Sequence, residues 1–219
     1  MTFSLLMKDP QSDAIGGVAA TGNLCVGGWV LRADPLSGVS ASQGSDPSTL
    51  WGNDVLSLMK DGLLPQLALE KVVMCDKGKE YRQLSALNIH GQSAVYTGAK
   101  NTRYRGSIQF DHGVAAGNLL TSEEVLSRMA AFAQTSTLPF AQRLIQALAL
   151  GELAGGDIRG LQSAALLIVS PSNPPLSLRI DDSADPVKAL QNLYDKTCDQ
   201  QYQRWLTSVP THHKPENHS

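Results

Sequence analysis

The chain is short of cysteines, aromatics, charges and long apolar runs, and each shortage narrows what it can be. Its three cysteines, Cys25, Cys75 and Cys198, are far apart and odd in number. Without a CxxC pair or a Cys/His ligand spacing, neither a disulfide framework nor a zinc site is supported, and no metal is expected. Scattered thiols suit a reducing compartment, where they serve as small buried hydrophobes. No run of Lys or Arg exceeds two residues and the formal net charge is -2. The basic stripe of a nucleic-acid surface is therefore missing. The densest apolar stretch, Ser163 to Val169, is far too short to span a bilayer. The start, Met1-Thr2-Phe3-Ser4, lacks a basic segment followed by a long apolar run. No secretory signal is read there, and a cytoplasmic location is expected.

What is present is an ordinary globular balance: 219 residues, 42 % hydrophobic and 17 % charged. A chain of this length can bury roughly 70 % of its unfolded surface in one core. We expect a single domain over residues 1–206, followed by a polar, disordered tail at 207–219 that carries His212, His213 and His218.

Periodicity places the elements. Thr2 to Met7 puts Phe3, Leu5 and Met7 on one face of a strand. Ile15 to Ala20 and Leu24 to Leu31 read as further strands, and their glycines at 16, 17, 27 and 28 point to close backbone packing or bulges. Gly38 to Gln43 reads as another. Ser48 to Lys60 changes to helical spacing, and Pro65 opens a second helix. Leu84 to Ile89 and Ala94 to Thr97 flank a hairpin turn at His90-Gly91-Gln92. Thr121-Ser122-Glu123-Glu124 has the pattern of a capping box for a helix carrying Leu126, Met129 and Ala133. A helix from Pro139 to Gly151 follows, then a buried strand at Ser163–Val169 paired with Leu176–Ile180. Asp185-Pro186 opens one long final helix that reaches Trp205. This order suits an α+β fold with two sheets between helix layers better than a doubly wound parallel sheet.

Ordinary catalytic arrangements are scarce. There is no GxSxG elbow, HExxH or P-loop. Of five histidines three lie in the tail, so a Ser-His-Asp triad would have to use His90 or His112. One nucleophile needs no histidine. Threonine at position 2 is small enough for the initiator methionine to be removed, which puts a free α-amino group on the residue that carries a hydroxyl. That amine titrates near ~7.7–8.0 and can take the hydroxyl proton.

Three further segments sharpen the reading: Gly117-Asn118-Leu119-Leu120, the stretch from Ala154 to Val169 that contains GGD and RG, and Leu178 to Val187 with its LRIDD and DPV. Together with Thr2-Phe3-Ser4 and Asp9-Pro10, they resemble the bacterial and archaeal family called domain of unknown function 1028, from about Thr2 to Leu193. The resemblance implies a fold similar to the N-terminal-nucleophile (Ntn) hydrolases, a four-layer αββα sandwich. It transfers architecture more firmly than activity, because the family's substrate and reaction are not settled.

By position, the resemblance makes Thr2 the nucleophile and Asn118 an oxyanion donor. Asp157 and Arg159 orient the amine or clamp a substrate carboxylate, Gln162 does either, and Gln43 lines the same cleft. The chain departs from the family pattern at Ser45, where an Asn is usual, and at Thr21-Gly22, where a Ser-His is common. Each role has a structural alternative. Asn118 could cap a turn. Asp157 with Arg159 could be a structural ion pair, and Gln162 could satisfy backbone at a strand start.

The expected function is therefore an amidohydrolase acting on a small C–N bond, without metal or cofactor. Its partner is a small-molecule substrate, with no nucleic acid and no membrane, and the surface is compatible with a homodimer. The alternatives are a non-catalytic ligand-binding or assembly protein on the same scaffold, and a histidine-dependent hydrolase using His90 or His112.

Overall fold

Residues 2–218 are described by the structure, a computed structural model. Met1, whose removal the sequence suggests, lies outside them, as does Ser219 of the tail. In chain order the first elements are β1 (Thr2–Lys8), β2 (Ile15–Thr21), α1 (Val26–Trp29), β3 (Leu31–Asp34) and β4 (Gly38–Gly44). Then come α2 (Trp51–Lys60), α3 (Pro65–Met74), a 3-10 turn (Lys79–Tyr81), β5 (Arg82–Asn88) and β6 (Ser93–Thr97). The remainder is β7 (Gly106–Phe110), β8 (Gly113–Gly117), α4 (Glu124–Thr135), α5 (Phe140–Leu153), β9 (Ser163–Val169), β10 (Leu176–Ile180), α6 (Pro186–Thr197) and α7 (Gln200–Leu206).

Two antiparallel sheets result. One has six strands in the order β10-β9-β2-β1-β8-β7, and the other has four in the order β3-β4-β5-β6. β1 is a central strand of the larger sheet and is buried on both faces, with Phe3, Leu5 and Met7 on one and Leu6 beside the buried Thr2 and Ser4 on the other. Phe3, Leu5 and Met7 join the cluster under α4, α5 and α6 that also contains Leu144, Leu148 and Leu190. Leu6 points the other way, into a cluster with Val39, Ala41 and Leu87 of the smaller sheet. A third cluster joins Trp51, Val55, Leu69 and Val73 of α2 and α3 to Leu84 and Ala86 of β5. Burying each of these large side chains contributes about 1.5–3 kcal/mol relative to exposure. The glycines of β2 permit close strand packing. A Cβ on Gly16 would lie 2.4 Å from the Leu167 carbonyl oxygen of β9.

Several sequence expectations need correction. Leu24 to Leu31 is not a strand. Cys25 adopts φ 59°, and the short helix α1 follows it. Tertiary bonds hold this loop: Cys25 N–H donates to the Asp181 carbonyl at 3.0 Å, and Val26 N–H donates to Ser163 Oγ at 3.0 Å. Strands β7 and β8 were not read from the sequence, and His112 sits at the tight turn between them with φ 65°.

The capping box at Thr121 does not form. The helix starts at Glu124, the Glu124 N–H goes to Ser122 Oγ, and Thr121 Oγ1 donates to the Ala154 carbonyl instead. The last helix is two helices, because Asp199 caps a new one through the N–H groups of Gln201 and Tyr202. Trp205 is exposed. The cysteines are not buried hydrophobes either: Cys75 and Cys198 are exposed and Cys25 is only partly covered. Residues 207–218 form turns that lie against the body, with His213 N–H donating to the Pro171 carbonyl at 3.1 Å. No helix among the described residues is long and apolar enough to cross a membrane.

Candidate functional site

The two sheets bring Thr2 to the wall of a cavity of about 290 Å³. Thr2 begins β1, opposite Thr21 of β2, and is only 4 % exposed. Its carbonyl is held from two sides, by the Asn118 N–H at 3.1 Å and by Gln43 Nε2 at 3.5 Å. Its hydroxyl takes part in no hydrogen bond among the described residues. Thr21, Val26, Val30, Gln43 and Ser45 complete the inner wall, and the exposed Asn23, Leu24, Trp29 and Pro47 form a rim. Leu24 and Trp29 are about half exposed, so the mouth is apolar. A larger cavity, of about 690 Å³, lies under the tail near Pro210 and His212. Among the described residues, no unsatisfied buried polar atom lines it, so it lacks the chemical signature of the Thr2 cavity.

Behind Thr2 lies a network of buried amides. Gln43 Nε2 donates to Gln83 Oε1 at 2.8 Å, and Asn118 Nδ2 donates to the same oxygen at 3.1 Å. Gln83 Nε2 in turn donates to Thr97 Oγ1, the Gly106 carbonyl and the Gly117 carbonyl. The backbone carbonyls fix which end of the Gln83 amide is nitrogen, and this fixes the orientation of the other two. Gln83 therefore ties β5 of the small sheet to β7 and β8 of the large one. Gln43 Oε1, Asn118 Oδ1 and Ser45 Oγ are buried without a hydrogen-bond partner. Three unmet polar atoms within one neighbourhood are more than a folded interior usually tolerates, and such atoms mark strain or function.

Asp157, Arg159 and Gln162 occupy the next layer. The Asp157 carboxylate is buried. Its Oδ2 accepts the Gly22 N–H at 2.8 Å and Arg159 Nη2 at 2.7 Å, and its Oδ1 accepts Arg159 Nε at 3.0 Å. The hydrogen bonds to Asp157 raise the Arg159 pKa further above its ordinary value. Gly22 fits here because a Cβ would lie 2.4 Å from the Gly160 carbonyl oxygen. Arg159 and Gln162 line a separate, open cavity of about 410 Å³, on the far side of the Thr21-Gly22-Asn23 segment. Gln162 N–H donates to the Thr21 carbonyl, and its side chain donates to Asp182 Oδ1.

The six residues singled out in the sequence thus fall into four settings. Thr2 and Gln43 line one cavity. Asn118 is fully buried behind it, spending its amide on Gln83. Asp157 braces the loop at Gly22, while Arg159 and Gln162 face the neighbouring cavity. The sequence reading missed Gln83, for which no local pattern exists. It also missed Asn23, which lines the Thr2 cavity. Asn23 Oδ1 accepts the Leu24 N–H at 2.9 Å, so its Nδ2 is the end left without a partner among the described residues. His90 and His112 lie in turns at the other end of the sheets and are exposed. Among the described residues, no group of three or more His, Cys, Asp or Glu could hold a metal ion.

Comparison with known proteins places this geometry among relatives. The model of a family described as "Family of unknown function (DUF1028)" matches residues 2–190. Among solved structures, the crystal structure of protein SPO2555 from Silicibacter pomeroyi, a DUF1028 family member, superposes with a TM-score of 0.95. It is 45 % identical, and the match covers 99 % of this chain and 98 % of that one. No curated protein matches.

Proposed function

Because the chain belongs to DUF1028, a family of unknown function, its chemistry has to be read from its own residues, and we propose that it is an amidohydrolase whose nucleophile is Thr2. The observation that carries this reading is the state of Thr2. Its carbonyl is clamped while its hydroxyl, at the wall of a cavity, is committed to nothing among the described residues. In this reading the apolar clusters separate four layers, two of helix and two of sheet, in an αββα order similar to the Ntn hydrolases.

Removal of Met1 leaves the α-amino group of Thr2 as the base. It takes the hydroxyl proton as Oγ1 attacks the amide carbonyl carbon, and it returns that proton to the departing amine. The acyl group stays on Oγ1 as an ester. Water, deprotonated by the same amine, then releases the acid. The developing oxyanion needs a donor facing the cavity, worth about 10²–10³ in rate. Asn23 Nδ2 suits this better than Asn118, whose amide is turned to Gln83. Asn118 and Gln43 instead position Thr2 by holding its carbonyl. The apolar rim at Leu24 and Trp29 favours a small, uncharged amide, and the reaction needs no cofactor.

The test begins with the intact mass of the purified protein, which should lack Met1. Screening anilides and N-acyl compounds should then find turnover that Thr2→Ala lowers by roughly 10³-fold or more and Thr2→Ser partly keeps. Retained Met1, or full turnover in Thr2→Ala, sinks the mechanism and leaves a non-catalytic binding protein as the better reading.

A further inference from the structure

The other end of β1 carries a feature that the proposed reaction does not use. Arg143, in the first turns of α5, is only 7 % exposed. A buried guanidinium is normally paired with a carboxylate, because removing its charge from water is expensive. Arg143 takes part in none of the ion pairs among the described residues. Its Nε and Nη2 both donate to a single acceptor, the Leu138 carbonyl, at 3.3 and 3.1 Å. That engages one edge of the planar fork. The other edge, Nη1 with the second N–H of Nη2, has no partner among the described residues.

Arg143 lines a cavity of about 270 Å³ together with Met7, Lys8, Pro10, Phe110 and Ala133. Asp111, His112 and Gln134 complete the wall. The Lys8 ammonium also lacks a carboxylate partner among the described residues and donates to the carbonyls of Asp9 and Ser12. Two cations thus stand at the cavity, one of them buried, against the single carboxylate of Asp111. Around them Met7, Phe110, Pro10 and Ala133 present carbon.

We propose that this cavity is a binding site for a small monocarboxylate with an apolar body, held by the free edge of the Arg143 fork. A carboxylate matches that edge with two parallel N–H···O bonds and supplies the missing counter-charge. Asp111 repels a second negative charge, so a phosphate dianion is the poorer ligand. The apolar wall accepts a short hydrocarbon chain. β1 separates this site from Thr2 by six residues, or roughly 20 Å at strand rise. It is therefore independent of the catalytic reading and stands even if Thr2 is inert.

The experiment titrates the full-length protein with sodium butyrate, butyramide and sodium phosphate, followed by amide NMR. Butyrate should bind saturably and shift the signals of Lys8, Asp111, Ala133 and Arg143, with those of Thr21 to Gly28 unmoved. Butyramide, of the same shape without the charge, should bind far more weakly. Arg143→Gln should weaken butyrate roughly tenfold to a hundredfold, the range for losing charge-assisted bonds. That variant also loses its brace on Leu138. Asp111→Asn, an exposed change, provides the second arm and should tighten butyrate a few-fold. Absence of saturable butyrate binding would overturn the proposal. So would equal binding of butyramide, tighter binding of phosphate, or shifts confined to the Thr2 cavity. A folded Arg143→Gln that keeps wild-type affinity, or an Asp111→Asn that fails to tighten binding, overturns it as well.

Discussion

The two ends of β1 treat buried polarity in opposite ways. At Thr2 the buried groups are neutral amides, Gln43, Gln83 and Asn118, and they turn mainly to one another. A neutral amide carries both donor and acceptor, so a few of them can close most of a network without outside help. At Lys8 the buried group is the Arg143 cation, which has donors only and finds a single carbonyl. A charge with no acceptor of its own cannot be completed by the fold alone. The difference separates a site that is positioned by the protein from one that is open for a ligand to complete.

The comparison can be broken at its centre. Gln83→Leu keeps the volume but strips the acceptor from two amides and the donor from the Gly106 and Gly117 carbonyls. Stranding those groups should destabilise the protein by about 3 kcal/mol, read from urea unfolding. A loss below about 1 kcal/mol would mean that water replaces the network and that Thr2 is not rigidly placed by it.

Asp157 tests whether a charge at the Thr2 end is closed in the same sense. Unlike Arg143 it has its partner, Arg159, and also accepts the Gly22 N–H. Asp157→Ala should cost about 2 kcal/mol, less than a fully buried pair, because the Arg159 left behind is partly exposed and can reach water. If the Gly22 brace matters to the cavity, this variant should also lower any Thr2-dependent turnover, which a kinetic assay of the folded variant reads directly.

The smallest effect is expected at Asp13, in the turn that joins β1 to β2 at the Lys8 end. Hydrogen bonds from Ser170 and then Ser172 hold its carboxyl below the ordinary carboxylate range, and the nearby His213 adds to this. The folded pKa is thus lower than the unfolded value of about 3.9. The stabilisation is complete above that value and is lost as pH falls through the folded pKa. Asp13 is exposed, so Asp13→Asn should cost well under about 1 kcal/mol at neutral pH. Acid titration of both proteins should show the gap closing as the pH falls below the ordinary carboxylate range and through the lowered folded pKa. A gap that persists into stronger acid would mean that the contact acts through shape and not through charge.

Much of the scaffold was legible from local pattern. The alternation of Phe3, Leu5 and Met7 announced a strand with one apolar face, the continuous apolar run at Ser163–Val169 announced one covered on both faces, and the spacing of Leu126 and Met129 or Leu144 and Leu148 announced buried helix faces. Asp185 caps α6 as its position before Pro186 suggested, with its side chain accepting the Lys188 N–H. The weakly apolar β7 and β8 were not legible, since Gly106–Phe110 is only partly buried and carries little alternation. Thr121 misled for a related reason. A capping box is a local offer, and here the neighbouring Ala154 carbonyl took the threonine hydroxyl instead.

By itself, the sequence determined the order and type of most elements, the family, and the candidacy of Thr2, because these depend on residues close together in the chain. Only the tertiary structure decided which side chains meet. The Cys25 loop turns into a helix because Ser163 and Asp181, distant in sequence, hold its backbone. Gln83 becomes the hub behind Thr2 because two sheets close over it, and Arg143 becomes a buried cation because no carboxylate among the described residues reaches it. Hydrogen-bond partners and counter-charges are matters of distance in space, and a strand or helix pattern carries no record of them.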